Sequence, residues 1–138
     1  RQGLTTMGAE VMLCGPPNLI PKHMVDLNVD SSSNIDEIIE WADALIILRI
    51  QKERMGLTLV PSKREYRATF GITKERMEKH KKEIVIMHPG PMNRGVEIDG
   101  FVADSDQAII LDQVLNGVAS RMAVLYLLCG GKSRDGDS

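Results

Sequence analysis

Ile84-Val85-Ile86-Met87 is a short apolar run that stops on His88-Pro89-Gly90-Pro91, and this junction restricts the fold more than any other stretch. A continuous apolar run of that length, bounded by turn residues, reads as a strand buried on both faces. Pro89 and Pro91 remove two backbone donors and fix two φ angles, so the strand cannot continue. The residue before each proline is pushed out of helical geometry. The chain is left with a stiff turn at the carboxyl end of a strand, where no neighbouring strand need claim the carbonyls of His88, Pro89 and Gly90. In open α/β sheets ligands bind beyond that edge, and a rigid row of carbonyls suits an NH2 group on a small ligand. The same residues also read as plain strand-to-loop punctuation. The flanking His88, Asn93, Arg94 and Glu97 weigh toward chemistry without deciding it.

The rest of the chain supplies a sheet for this strand to join. Residues 2–7 read as helix, stopped by Gly8. Glu10-Val11-Met12-Leu13-Cys14 reads as a strand, residues 18–23 as a turn or short helix, and the alternation over 24–29 as a half-exposed edge strand. After the polar loop Ser31-Ser32-Ser33-Asn34 comes a capped helix over 35–41, with Ile35, Ile38, Ile39 and Ala42 as its apolar face. Leu45-Ile46-Ile47-Leu48 is the most hydrophobic run and the expected central strand. Arg49-Ile50-Gln51-Lys52-Glu53-Arg54 continues from it and sets Arg49 and Gln51 on one side at the carboxyl edge. A charged strand end of this kind also reads as side chains facing water. Residues 55–61 are a loop, Ser62 caps a helix to about residue 70 closed by Gly71, and Thr73 caps another to about residue 80. The Lys/Glu/Arg alternation of that last helix reads as a solvated face. Residues 99–104 look irregular. The longest helix runs from Asp106 to about Leu128, and its end, Ala123-Val124-Leu125-Tyr126-Leu127-Leu128, is apolar nearly all round. Such an end wants a partner on more than one side.

Strands alternating with helices predict an α/β fold, a Rossmann-like parallel sheet flanked by helices on both faces. Its single domain covers residues 1–129, and residues 130–138 read as a disordered tail. The 138 residues suffice for one core. A net charge of -2 and 4 % aromatics argue against a nucleic-acid partner. No apolar run is long enough for a membrane span and no signal peptide is legible. No GxGxxG follows a strand, so a dinucleotide site has little support. Cys14 and Cys129 read as reduced, buried, cytosolic thiols, and His23, His80 and His88 lack ligand spacing, so no metal site is expected. The start, Arg1-Gln2-Gly3-Leu4, has no initiator methionine and no capping signal. The chain is expected to be an N-terminally truncated piece of a longer protein, cut inside or just before a helix.

Taken as a pair, Arg49-Ile50-Gln51-Lys52-Glu53-Arg54 and His88-Pro89-Gly90-Pro91 with Asn93-Arg94-Gly95-Val96-Glu97-Ile98 resemble aspartate carbamoyltransferase, specifically its second, aspartate-binding domain. The resemblance extends to about Leu128 and implies a cytoplasmic enzyme of pyrimidine biosynthesis. It implies transfer of the carbamoyl group of carbamoyl phosphate to the amine of L-aspartate, giving N-carbamoyl-L-aspartate and phosphate, with no cofactor. Arg49 would pair a carboxylate of L-aspartate and Gln51 would hydrogen-bond the same substrate. The backbone around Pro89, Gly90 and Pro91 would accept from the carbamoyl NH2. Arg54 would belong to the loop, residues 55 to about 70, that closes over aspartate, and that loop is expected to be the most mobile internal segment. The phosphate-binding groups of the family lie in an N-terminal carbamoyl-phosphate domain absent here, against which the last helix would pack. The complete enzyme would be a homotrimer borrowing residues between subunits, so this chain alone should be inactive. The tight turn and the resemblance together predict a cis Gly90–Pro91 bond.

Two rivals define what would change this reading. The ornithine-specific relatives carry His-Cys-Leu-Pro at the turn and need acidic residues for a cationic substrate, whereas Arg49-x-Gln51 is built for an anion. From a different class, the chain could be a non-catalytic binding or assembly module on the same fold. A carbamoyl-phosphate domain encoded in frame upstream would favour the enzyme.

Overall fold

The computed structural model describes residues 2–20, 30–50 and 62–130. The elements run α1 (Gln2–Thr6), β1 (Met12–Cys14), β2 (Asp30–Ser32), α2 (Ile35–Trp41), β3 (Ala44–Ile46), α3 (Lys63–Phe70), α4 (Lys74–His80), β4 (Val85–Met87), α5 (Gly100–Ala103) and α6 (Ile110–Cys129). The strands form two parallel pairs, β1 with β2 and β3 with β4. This is the α/β alternation with parallel pairing that the sequence predicts. The edge strand expected over 24–29 lies outside the described residues. Ser31 and Ser32, read as part of a polar loop, belong with Asp30 to a strand, in register with Met12 to Cys14. Backbone pairing decides there, since an edge strand can keep polar side chains toward water.

The helix boundaries reflect local chemistry. Asn34 accepts from the Asp36 N–H at 3.2 Å, and Asp36 and Glu37 fill the first turn of α2. At the other end of α2, Lys82 Nζ donates to the carbonyls of Glu40 and Ala42 at 2.8 and 2.7 Å. Ser62 and Glu65 form a reciprocal capping box that starts α3. Gly71 ends it because nothing larger fits: a Cβ there would stand 2.6 Å from the Arg67 carbonyl oxygen and 3.0 Å from that of Val96.

α4 has the solvated face its charge pattern suggests, with Glu78 and Lys79 exposed, but its other face turns inward. Arg76 reaches back to the carbonyls of Gly71 and Ala68, closing the end of α3, and its Nε lies 3.4 Å from Asp36. The His80 side chain is 4 % exposed, with Nε2 2.7 Å from Asp36 Oδ1. Arg76 and His80 lie four apart on the helix and therefore share a face, which here is turned to α2.

Two further departures come from the chain around β4. Residues 100–103, read as irregular, form the single turn α5, too short to show a helical period. α6 begins at Ile110 rather than Asp106, because residues 107–109 first run beside β4. There Ile86 N–H donates to Gln107 O at 2.8 Å and Ile109 N–H to Ile86 O at 2.9 Å, with a parallel bridge between Ile86 and Ala108.

The core gathers Ile35, Ile38 and Ile39 of α2, Leu45 of β3, Ile84 and Ile86 around β4, and Ile72, Ile98, Val102 and Ile110. Burying each such side chain is worth about 1.5–3 kcal/mol. Opposite the buried Leu45 and Ile86, Ile46 and Val85 stay exposed. So does most of α6, from Leu111 at 84 % to Leu128 at 80 %.

Among the described residues there is no cis peptide bond, which corrects the expectation for Gly90–Pro91. Gly90 adopts φ 143°, a torsion L side chains rarely take. The reversal is made by this glycine in place of a cis bond. Cys14 is half-buried, with burial pushing its thiol pKa up, but Cys129 is exposed on α6, not buried as read. Both thiols are free. Gln51, Arg54, the loop residues 55–61 and the tail from 131 lie outside the described residues.

Candidate functional site

The parallel register pairs Ala44 with Val85, Leu45 with Ile86 and Ile46 with Met87. Both strands therefore end at one edge, and Ile47 N–H donates to Met87 O at 2.9 Å. Arg49 stands three residues beyond Ile46, and Gly90 three beyond Met87. The two segments still touch past the strand ends, where Asn93 Nδ2 donates to Ile50 O at 3.4 Å. Arg49 and the Pro89-Gly90-Pro91 turn thus share one carboxyl edge, the placement the sequence predicts for them. Arg49 and Pro89 are exposed there.

Pro89 and Pro91 have no N–H, so Gly90 carries the one backbone donor within the turn. It donates to His88 Nδ1 at 3.2 Å. His88 N–H in turn donates to Gln113 Oε1 of α6 at 2.9 Å. Among the described residues, no backbone N–H donates to the carbonyls of His88, Pro89 or Gly90. The turn thus presents acceptors, as its two prolines imply.

Behind it sits a buried titratable pair that the sequence shows only as flanking polarity. His88 is 0 % and Glu97 1 % exposed. Glu97 Oε1 accepts from the Asn93 N–H and lies 3.7 Å from His88 Nε2. Neither His88 Nε2 nor Glu97 Oε2 has a hydrogen-bond partner among the described residues. Burial holds the His88 pKa below its ordinary value of 6.5, with the Glu97 carboxylate opposing that shift. The signal was the spacing of His88 and Glu97 across a Pro/Gly-rich turn, which folds them onto each other. Gln113 carried no signal, since one polar residue on a mixed helix face has many readings.

Arg94, also singled out, is engaged by Asp104. It makes a bidentate pair with Asp104, at 2.6 and 2.8 Å, on the exposed surface, and that pairing raises its pKa. Asp99 is similarly taken by Arg67, at 2.8 and 2.7 Å. No group of three or more potential metal ligands occurs among the described residues. No helix among them is long and apolar enough to cross a membrane.

The fold and this edge define a class: a parallel α/β domain that sets a cation and a rigid row of carbonyls side by side where its strands end. Residues 2–128 match the family described as aspartate/ornithine carbamoyltransferase, Asp/Orn binding domain, and the chain belongs to that family. It is 54 % identical over 136 residues to the aspartate carbamoyltransferase catalytic subunit of Gemmatimonas aurantiaca, covering 99 % of this chain and 43 % of that protein. It is 57 % identical over 125 residues to the same subunit of Christiangramia forsetii, covering 91 % of this chain and 40 % of that one. Among solved structures, aspartate transcarbamoylase from Trypanosoma cruzi in complex with carbamoyl phosphate superposes with a TM-score of 0.70 at 26 % identity, over 84 % of this chain and 39 % of that one. The chain spans less than half the length of the relatives it matches.

Proposed function

We propose that this chain is the aspartate-binding half of an aspartate carbamoyltransferase, acting with a carbamoyl-phosphate domain of the kind that the greater length of its relatives has room for. The observation that carries this is the β3–β4 register, which brings Arg49 and the Pro-Gly-Pro turn to one edge. A planar guanidinium suits a planar carboxylate, so Arg49 pairs L-aspartate, and Gln51 hydrogen-bonds the same substrate. The carbonyls of the turn accept from the NH2 of the carbamoyl group. The neutral aspartate amine then attacks the carbamoyl carbon, the C–O bond to phosphate breaks, and phosphate leaves with the electron pair and takes up the proton that the amine nitrogen gives up. No protein nucleophile is needed: placing two anions in line and stabilising the developing oxyanion does the chemistry. Arg54 belongs to a loop that closes over the pair, and closure excludes water. A cation at this edge supports an anionic second substrate over ornithine. The exposed apolar α6 supports packing against the other domain, within a cytoplasmic homotrimer.

The test joins the chain to that domain. The isolated chain should turn nothing over, and the joined protein should convert carbamoyl phosphate and aspartate. Arg49→Ala in the joined protein should raise the aspartate KM steeply and leave carbamoyl phosphate binding little changed. An equal loss for both substrates would assign Arg49 to the fold or to domain closure.

A further inference from the structure

We propose that His88 and Glu97 form one positioning unit for the proposed reaction: Glu97 orients the imidazole, and the imidazole holds Gly90 so that the turn's carbonyls face the carbamoyl group. The assignment rests on the function proposed above and adds residues that do not themselves touch substrate.

Three observations carry it. First, the imidazole Nδ1 takes the Gly90 N–H, the one backbone donor that the two prolines leave within the turn. The Pro89–Gly90 peptide plane is thereby fixed, and with it the direction of the Pro89 carbonyl. Second, Nδ1 is an acceptor, so the neutral ring carries its proton on Nε2. That nitrogen faces the Glu97 carboxylate at 3.7 Å, and the same carboxylate holds the Asn93 N–H. Gly90 therefore sets the tautomer, while Glu97 holds the far side of the turn through Asn93 and places its negative charge opposite the protonated Nε2.

Third, the arrangement is costly as a mere structural feature. Both side chains are essentially unexposed, and Nε2 and Glu97 Oε2 lack hydrogen-bond partners among the described residues. Leaving a buried polar group unsatisfied costs stability, and an apolar pair of the same shape would fill the space without that cost. Broken local rules of this kind concentrate at working sites. Gly90, at φ 143°, has the conformational freedom of glycine, so the bond to His88 selects one of its several accessible conformations.

The experiment uses the complete protein, with melting temperature measured beside kcat and both KM values. His88→Ala should lower kcat about 10- to 100-fold, the scale of an ångström-level misplacement of reacting groups. The KM for carbamoyl phosphate should rise more than that for aspartate. His88→Asn should recover most of kcat, because its Oδ1 can occupy the Nδ1 position and accept from Gly90. A variant that melts early yet keeps kcat and both KM values within twofold would overturn the proposal, as would equal losses in the Ala and Asn variants. Should His88→Ala fail to fold, His88→Asn is compared with His88→Gln, which reaches toward Glu97 but not Gly90. At least tenfold more activity in the Asn variant supports the unit and parity overturns it. Wild-type protein that does not combine carbamoyl phosphate with aspartate would sink the functional reading, and the positioning role with it. Active wild type with insensitive variants would sink the positioning role alone.

Discussion

The α2–α4 layer and α6 treat their polar and apolar groups in opposite ways. Between α2 and α4, Asp36 accepts from His80 and faces Arg76, while Lys82 closes the carboxyl end of α2. The apolar face of α2 is buried through Ile35, Ile38 and Ile39. This layer is complete as it stands. In α6 only Ile110 is buried, and the helix then carries Leu111, Leu115, Met122, Leu125, Leu127 and Leu128 largely exposed. A contiguous apolar face on that scale marks a surface meant to be covered. The same kind of residue is core in one helix and an unmet contact in the other.

The largest expected effect tests that contrast within the chain. Ile39 is fully buried, so Ile39→Ala should lower unfolding free energy by about 2–5 kcal/mol. Leu125→Ala, on an exposed site, should change it by no more than about 0.5 kcal/mol. Denaturant titration of both variants measures the difference. Comparable losses would mean that α6 packs more closely than its exposure indicates.

The contrast should reverse its bearing once the complete protein is assembled. Leu125→Asp should then weaken the contact with the other domain, by about 2 kcal/mol or more if the site is a packing centre, with activity falling accordingly. In the isolated chain the same change should leave the melting transition nearly in place. Activity equal to wild type would remove α6 from the proposed domain contact.

A middle-sized effect belongs to Asp36. Removing its carboxylate strands the His80 ring nitrogen, which is nearly buried, so Asp36→Ala should cost about 1–2 kcal/mol. The pH dependence has a definite sign. The hydrogen bond from His80 holds the Asp36 pKa below its ordinary 3.8. The folded state therefore binds the proton less readily than the unfolded chain. Its contribution is present above pH 3.8 and is lost as pH falls through the lower folded value. His88 acts in the same direction in a different window, since its pKa is also lowered, from 6.5. The unfolded chain takes up that proton first, and stability falls as pH drops below 6.5 toward the folded value. Melting curves should show two acid-side losses, of which Asp36→Asn removes the lower and His88→Asn the upper.

How much was legible in the sequence depends on how local each determinant is. The helix starts at Asn34, Ser62 and Thr73 are decided within four residues, and the structure places them where the caps lie. The shared edge of Arg49 and Gly90 was legible because two short apolar strands ending in special residues leave few topologies open. The face that α4 turns inward was not legible: Arg76 and His80 find Asp36 on a helix far away in sequence, and a charge pattern does not say which partner is distant. Strand β2 was missed because its backbone pairs while its side chains stay polar. The expected start of α6 at Asp106 falls four residues before the observed one at Ile110. The three residues after Asp106 answer instead to the open edge of β4.

The smallest effect should be that of Lys82. Its ammonium takes the carbonyls of Glu40 and Ala42, groups that have no partner inside α2 once the helix ends. A cation at a helix carboxyl terminus is worth about 0.3–1 kcal/mol at low ionic strength. Lys82→Met retains the alkyl stem and removes the charge, so it should cost an amount in that range, visible as a small shift in denaturation midpoint. Salt should separate the components: the macrodipole share is screened, while the two hydrogen bonds are less so. The deficit of Lys82→Met should therefore shrink, without vanishing, between low salt and molar salt. A deficit independent of salt would assign the whole effect to hydrogen bonding. No deficit at all would mean that water serves the end of α2 as well as lysine does, and that the α2–α4 layer is closed by Asp36 and its partners alone.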